Sequence, residues 1–314
     1  MDISYLLFLQ DFRIGLNDAL TPFLENLSLF AVTWLLAMPV FIYWCMNKNK
    51  GLKILGALCI ARALTAVVKL TVCAYRPWIR DARIIPAGDA ITTATGYSFP
   101  SGHTTTAASI YGGTAAEYYK GRYGKPVASI LLLLILLTMF SRNYLGVHTP
   151  QDVLVGLIVG AVSVWCSTKF FSYIENKPEK ENILLGAGLV FTVLALLYIT
   201  FKPYPMDYSG EKLLVDPQKM MNDGYKDLGS IFGFVIGRFI EKKWIKFQET
   251  GLNVKGIIVS IAGIIILAMM SKFLKAPFAE ALGSHWGGFS LRAFIAIFVI
   301  AIYPIALKLL CGKK

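Results

Sequence analysis

The chain has 314 residues, 56% of them hydrophobic and 16% charged, which leaves too little polar surface for a soluble domain of this length. Mean hydropathy, +0.59, points the same way. The formal net charge of +12 comes without an aromatic-and-basic nucleic-acid module, so the basic residues are expected in cytoplasmic loops beside anionic lipid rather than on nucleic acid.

Residues 3–20 set Tyr5, Leu6, Phe8 and Leu9 beside Asp11, Arg13 and Asp18, a pattern that predicts an amphipathic helix lying in the membrane interface. No positive residue precedes its apolar part, so no cleaved signal peptide is expected. The first span is predicted at about 24–46 and the second at about 51–75. A polar stretch from Arg76 to Pro100 follows, punctuated by Pro77, Pro86 and Pro100. Further spans are predicted at about 101–119, 126–146, 150–171 and 183–202, then a polar loop, 203–225, with Pro203, Pro205 and Pro217. Three more fall near 226–240, 254–274 and 290–308, the first of them the weakest because Arg238 and Glu241 crowd its end. The fold class is therefore all-α, a polytopic membrane helical bundle with about nine crossings. It divides into an interfacial helix (1–22), a six-helix core (23–202) and a C-terminal transmembrane extension (203–314). The cysteines, Cys45, Cys59, Cys73, Cys166 and Cys311, form no C-x-x-C pair and read as small buried residues.

Orientation follows from the connections. Lys48, Lys50 and Lys53; Lys120, Arg122 and Lys125; Lys169, Lys177 and Lys180; Lys242, Lys243 and Lys246; and Lys308, Lys313 and Lys314 occupy every second one. Those are expected on the cytoplasmic side, with the C-terminus. The alternate connections, 76–100, 203–225 and 275–289, and the N-terminus would face outward, in a multi-pass protein of the cell membrane.

Three segments put charge at the membrane boundary, all on the expected outward side: Lys69 to Pro77, Pro100-Ser101-Gly102-His103, and Ser141 to Asp152. Charge there is costly unless it serves a site. A phosphoryl group in flight spreads negative charge over its oxygens and needs fixed cations and donors around it. Lys69, Arg76 and Arg142 offer three cations, and Lys69 and Arg76, two helical turns apart, can project from one helix face. Pro100-Ser101-Gly102-His103 reads as a helix N-terminus, with Pro suited to the first turn, a hydroxyl, and a glycine that lets an anion approach the backbone. His103 then stands where it can protonate a leaving oxygen. His148 and Asp152, four apart on a helix, share a face, so the carboxylate can hold one ring nitrogen and leave the other to attack. Singly, Lys69 reads as a snorkelling residue, Arg142 and Asp152 as an interhelical pair, and Ser101-Gly102-His103 as an ordinary helix start. Their conjunction is what points to chemistry. The third histidine, His285, reads as a loop residue.

The patterns K-x6-R-P, P-S-G-H and S-R-x5-H-x3-D resemble the three signature motifs of the type 2 phosphatidic acid phosphatase superfamily, complete and in order over residues 69–152. The resemblance implies a helical core with an outward-facing site near the interface. It implies Lys69, Arg76, Ser101, Gly102 and Arg142 as phosphate ligands, His103 as general acid, His148 as nucleophile and Asp152 as the group orienting it. The three C-terminal crossings resemble the nine-helix layout of the glucose-6-phosphatases. The expected function is hydrolysis of a membrane lipid phosphate or diphosphate through a phosphohistidine, with no metal and no other cofactor. A sugar-phosphate phosphatase is the alternative. A non-catalytic membrane transporter or lipid-binding protein is the reading from another class.

Overall fold

The structure, a computed structural model, describes residues 2–94 and 96–311. Lys313 and Lys314, expected on the cytoplasmic side, lie outside the described residues. In chain order the helices are α1 (Asp2–Gly15), α2 (Thr21–Phe30), α3 (Ala37–Phe41), α4 (Lys48–Val72), α5 (Pro77–Arg80), α6 (Ala90–Thr93), α7 (Gly102–Tyr118), α8 (Gly124–Tyr144), α9 (Pro150–Asn176) and α10 (Glu181–Phe201). A two-stranded antiparallel hairpin, β1 (Tyr208–Ser209) and β2 (Lys212–Leu213), precedes α11 (Pro217–Ile240), α12 (Val254–Phe273), α13 (Lys275–Ile297) and α14 (Tyr303–Cys311). The fold is an all-α polytopic helical bundle, as the apolar runs implied.

Among the described residues seven helical stretches are long and apolar enough to cross a membrane: Thr21–Met46, Lys48–Arg80, Gly124–Tyr144, Pro150–Asn176, Pro178–Phe201, Val254–Phe273 and Lys275–Cys311. Two of the nine expected crossings fall outside this set. The one near 101–119 is α7, which carries Thr104, Thr105, Thr106, Ser109 and Thr114 and buries all five against protein. A helix screened from lipid needs no apolar surface of its own. The one near 226–240 belongs to α11, which starts earlier and includes Asp223, Lys226 and Asp227. The expected span 24–46 is a chain of short pieces, with Pro39 unable to donate a hydrogen bond back into the preceding turn. The 275–289 connection, expected as a loop, is helical except at Gly283 (φ 74°, ψ 171°). His285 accordingly sits on a helix, its ring edge-on to Tyr225 with centroids 5.2 Å apart.

The chain forms two compact units. One comprises Met1–Leu36, Leu64–Val164 and Lys202–Met220; the other comprises Ala37–Ala63, Trp165–Phe201 and Met221–Lys314. In the first unit the 76–100 stretch has a core of its own. Ala87, Ala90 and Ala94 pack with Leu24 of α2 and with Tyr144, Leu145 and Val147 at the end of α8. The α1 helix is tied to this stretch by Gln10, which donates to Arg83 O at 3.0 Å, and Arg13, which donates to Ile85 O at 2.9 Å. Gly156 and Gly160 let α9 approach α7 closely: a Cβ at Gly156 would stand 2.8 Å from Ser101 O, and one at Gly160 would stand 2.5 Å from Ala108 Cβ. That contact brings the starts of α7 and α9 together.

In the second unit, α11 lays Gly229, Gly233 and Gly237 against α13 and the turn after it. A Cβ at Gly233 would be 2.2 Å from Ala293 O. Small residues at this spacing let two membrane helices pack backbone to backbone. Several charges of this unit close on one another. Arg238 donates to Glu181 and Glu241, Lys48 pairs with Glu241, Lys242 with Glu181, and Arg62 with Asp227.

Candidate active site

The start of α9 is a reciprocal cap. The Asp152 carboxylate accepts the Thr149 N–H at 2.7 Å, and Thr149 Oγ1 accepts the Asp152 N–H at 3.3 Å. The cap turns Asp152 back toward His148, whose Nδ1 lies 3.3 Å from Oδ2. His148 stands before the helix, which begins at Pro150. The pair therefore meets through the cap, and the expectation of one shared helical face is corrected. The turn before it is held by Asn143, whose Nδ2 donates to His148 O at 2.9 Å, and by the His148 N–H donating to Arg142 O at 3.2 Å.

Lys69 and Arg76 also do not share a helix face. The α4 helix ends at Val72, Cys73 is left-handed at φ 52°, and Arg76 is extended. Pro77 gives the reason, since its ring disfavours helical geometry at the residue before it. Arg76 reaches across instead. Its Nε donates to Gly96 O at 3.0 Å, and its Nη1 to Val147 O at 2.9 Å and to His148 Nε2 at 2.9 Å. Asp152 only accepts, so Nδ1 of His148 carries the ring proton and Nε2 holds a lone pair toward Arg76. Burial, then the neighbouring Arg76 charge, holds the His148 imidazole well below its ordinary range, against the opposing pull of Asp152. Lys69 Nζ donates to the carbonyls of Tyr97 (3.0 Å), Ser98 (3.4 Å) and Pro100 (2.9 Å).

Ser101 is the N-cap of α7, its hydroxyl accepting the Thr104 N–H at 3.4 Å and the Thr104 hydroxyl at 3.1 Å. Pro100 therefore lies ahead of the helix rather than in its first turn. The Ser101 N–H donates to Asp152 O at 2.9 Å, which couples the two helix starts. A Cβ at Gly102 would meet nothing within 4 Å, so this helix N-terminus faces open space. His103 is buried, with Nε2 lacking a hydrogen-bond partner, and Lys69, Arg76, Arg142 and His148 all act on it electrostatically. Arg142 is 1% exposed. Its Nη1 donates to Ser28 Oγ at 3.1 Å, while Nε and Nη2 have no partner.

All eight residues singled out in the sequence thus lie in one unit, at the ends of α4, α7, α8 and α9. Two supporting residues were missed. Ser98 donates to Asp152 Oδ2 at 2.5 Å, and Ser28 on α2 holds Arg142. Neither has a spacing that links it to a motif. The Thr149-x-x-Asp152 cap, by contrast, was legible as a T-x-x-D pattern. Among the described residues no group of three His, Cys, Asp or Glu side chains is placed to hold a metal ion.

The helix ends bring together two histidines, an aspartate and three cations, and comparison with known proteins agrees with the motifs. The PAP2 superfamily model matches residues 50–176, and that of the PAP2 superfamily phosphatase transmembrane extension matches 225–312. The chain therefore carries a PAP2 superfamily domain followed by a PAP2 transmembrane extension. It is 28% identical over 238 residues to a probable sphingosine-1-phosphate phosphatase of Dictyostelium discoideum, covering 69% of this chain and 51% of the relative. It is 21% identical over 285 residues to glucose-6-phosphatase catalytic subunit 1 of Haplochromis nubilus, covering 80% of each. The chain thus spans about half the length of the first relative and four-fifths of the second. No solved structure matches it.

Proposed function

We propose that this chain is an integral-membrane phosphatase that cleaves a lipid phosphate or diphosphate monoester through a phosphohistidine on His148, at an outward-facing site. The observation that carries the reading is the set of buried nitrogens left open: the Arg142 donors Nε and Nη2, and His103 Nε2 within electrostatic reach of them. Buried polar groups are normally satisfied, and a phosphate has the charge and acceptors to satisfy these. The Gly102 backbone, facing open space at a helix N-terminus, suits the same ligand.

In the proposed reaction Arg76 shifts its Nη1 donor from His148 Nε2 to a phosphate oxygen. The freed lone pair attacks phosphorus in line, and the P–O bond to the leaving group breaks. Burial and the surrounding cations keep His103 neutral until the phosphate's negative charge offsets them and it takes up a proton, which it gives to the leaving oxygen. Water then attacks the phosphohistidine, His103 takes the water's proton, and phosphate leaves with His148 restored. Arg76, Ser101, Gly102 and Arg142 hold the phosphate, Lys69, whose donors rest on the carbonyls of Tyr97, Ser98 and Pro100, contributes its charge, and Asp152 keeps the proton of His148 on Nδ1. The cations around the site repel a metal ion and already supply the charge that one would bring, so the reaction is taken to be metal-independent.

A lipid substrate is favoured by the helices beside the site. The α2 helix, which holds Arg142 through Ser28, exposes Phe23, Leu29 and Phe30, and α1 exposes Phe8 and Phe12. These are surfaces for acyl chains rather than water. The name of the Dictyostelium relative fits that choice. The glucose-6-phosphatase likeness over most of both chains favours a second reading, a soluble sugar phosphate. Purified protein assayed in chelator against phosphatidic acid, phosphatidylglycerol phosphate, sphingosine phosphate, an isoprenyl diphosphate and water-soluble phosphoesters separates the two. Exclusive sugar-phosphatase activity sinks the lipid reading, and full loss of activity in chelator sinks metal independence. Phosphate release that disappears in His103→Ala disposes of a transporter or lipid-binding role.

A further inference from the structure

We infer that Ser98 is a positioning residue for the nucleophile, a third member of the His148–Asp152 pair, held in place by Lys69. This rests on the phosphatase reading above.

Ser98 is 1% exposed. Its hydroxyl donates to Asp152 Oδ2 at 2.5 Å and lies 3.4 Å from His148 Nδ1. Oδ2 therefore receives Ser98 O–H, Thr149 N–H at 2.7 Å and His148 Nδ1 at 3.3 Å. The first two fix where that oxygen stands, and its place fixes the imidazole ring. Ser98 is itself clamped from the other side. Its N–H donates to Ala74 O at 2.7 Å, and Lys69 Nζ gathers the carbonyls of Tyr97, Ser98 and Pro100. A chain of direct contacts runs from Lys69 through the 97–100 backbone to Ser98, Asp152 and His148. The Ser98 hydroxyl lies against Asp152 and His148, so it acts through Asp152.

The prediction separates orientation from binding. Ser98→Ala removes one donor from the carboxylate and lets its oxygen wander. We expect kcat to fall about tenfold, KM and the inhibition constant of inorganic phosphate to stay within about twofold, and the acid limb of the kcat profile to move to higher pH. The limb moves that way because a carboxylate with one donor fewer is a stronger base toward the Nδ1 proton and stabilises the imidazolium. Ser98→Thr keeps the hydroxyl and restores kcat and the pH profile. Wild-type kcat and pH profile in Ser98→Ala overturn the inference. So do equal losses in the Ala and Thr variants with weaker phosphate binding, which mark Ser98 as a loop-folding residue only. Both outcomes leave an active wild type whose turnover needs His148. A wild type inactive on every phosphoester, or a His148→Ala variant that turns over normally, overturns the phosphatase reading itself and this inference with it.

Discussion

Arg142 in one unit and Arg238 in the other are both largely screened from solvent near the ends of long helices, and they are partnered in opposite ways. The Arg238 guanidinium ends on two carboxylates, Glu181 and Glu241, each at 2.8 Å, and those acids are shared with Lys242 and Lys48. Arg142 has one hydroxyl, Ser28, and two nitrogens with no hydrogen-bond partner, with Glu25 the carboxylate that acts on it through space. A buried cation closed by acids has recovered its desolvation within the fold. One left open recovers it only when an anion arrives. The two units therefore place the same residue type in different settings, as a staple between carboxylates in one and, in the proposed site of the other, as a receptor for an anion.

The comparison can be broken in four ways, in order of expected size. His148→Ala is expected to lower turnover by about 10⁴-fold or more, because no other group forms the intermediate; phosphate release from purified protein checks it. Arg238→Ala leaves two buried carboxylates short of a cation, a change expected to cost about 3–5 kcal/mol of stability. Thermal unfolding in detergent reads that loss, while turnover per folded molecule stays at the wild-type value. Arg142→Ala should do the reverse, lowering kcat by about 10²–10³-fold as the loss of a transition-state donor does, with the unfolding temperature unchanged or raised. An Arg142 variant that unfolds as readily as the Arg238 variant would erase the distinction.

The smallest effect is on pH. The folded His148 pKa lies below its unfolded value of about 6.5. On acidification the unfolded chain takes up this proton first. The stability that His148 contributes is therefore present above pH ~6.5 and eroded below it, by at most about 1.4 kcal/mol per pH unit. His148→Gln should flatten the stability profile between about pH 6.5 and 5 by that amount, and an unchanged slope counts against a buried neutral imidazole. In the proposed reaction the same shift keeps His148 neutral, and so able to attack, below the ordinary imidazole range.

Where the sequence reading failed, the cause was the neighbour rather than the residue. The α7 helix looked like an ordinary span, yet it carries a run of threonines that only burial against protein makes tolerable. The α11 helix looked weak because Arg238 and Glu241 crowd its end, whereas Arg238 pairs with Glu181 and with Glu241, and Glu241 also pairs with Lys48. Lys69 and Arg76 were seven apart and appeared to share a face; the break at Cys73 and the extended Arg76 before Pro77 put them on different structures.

The sequence alone carried the motifs of the superfamily and the helical membrane architecture and pointed to the eight residues of the proposed site, because apolar run length and short fixed spacings are local properties that survive in one dimension. It pointed to His148 and Asp152 as a pair for the same reason, since four residues is within reach of a single helical start. Only the tertiary structure decided that Ser98 completes that pair, that Ser28 holds Arg142, and that Arg76 rests on His148 Nε2. Those contacts join residues 54, 114 and 72 positions apart. Such separations are set by how helices pack, through Gly156, Gly160 and the small core of the 76–100 stretch, and no local pattern encodes them.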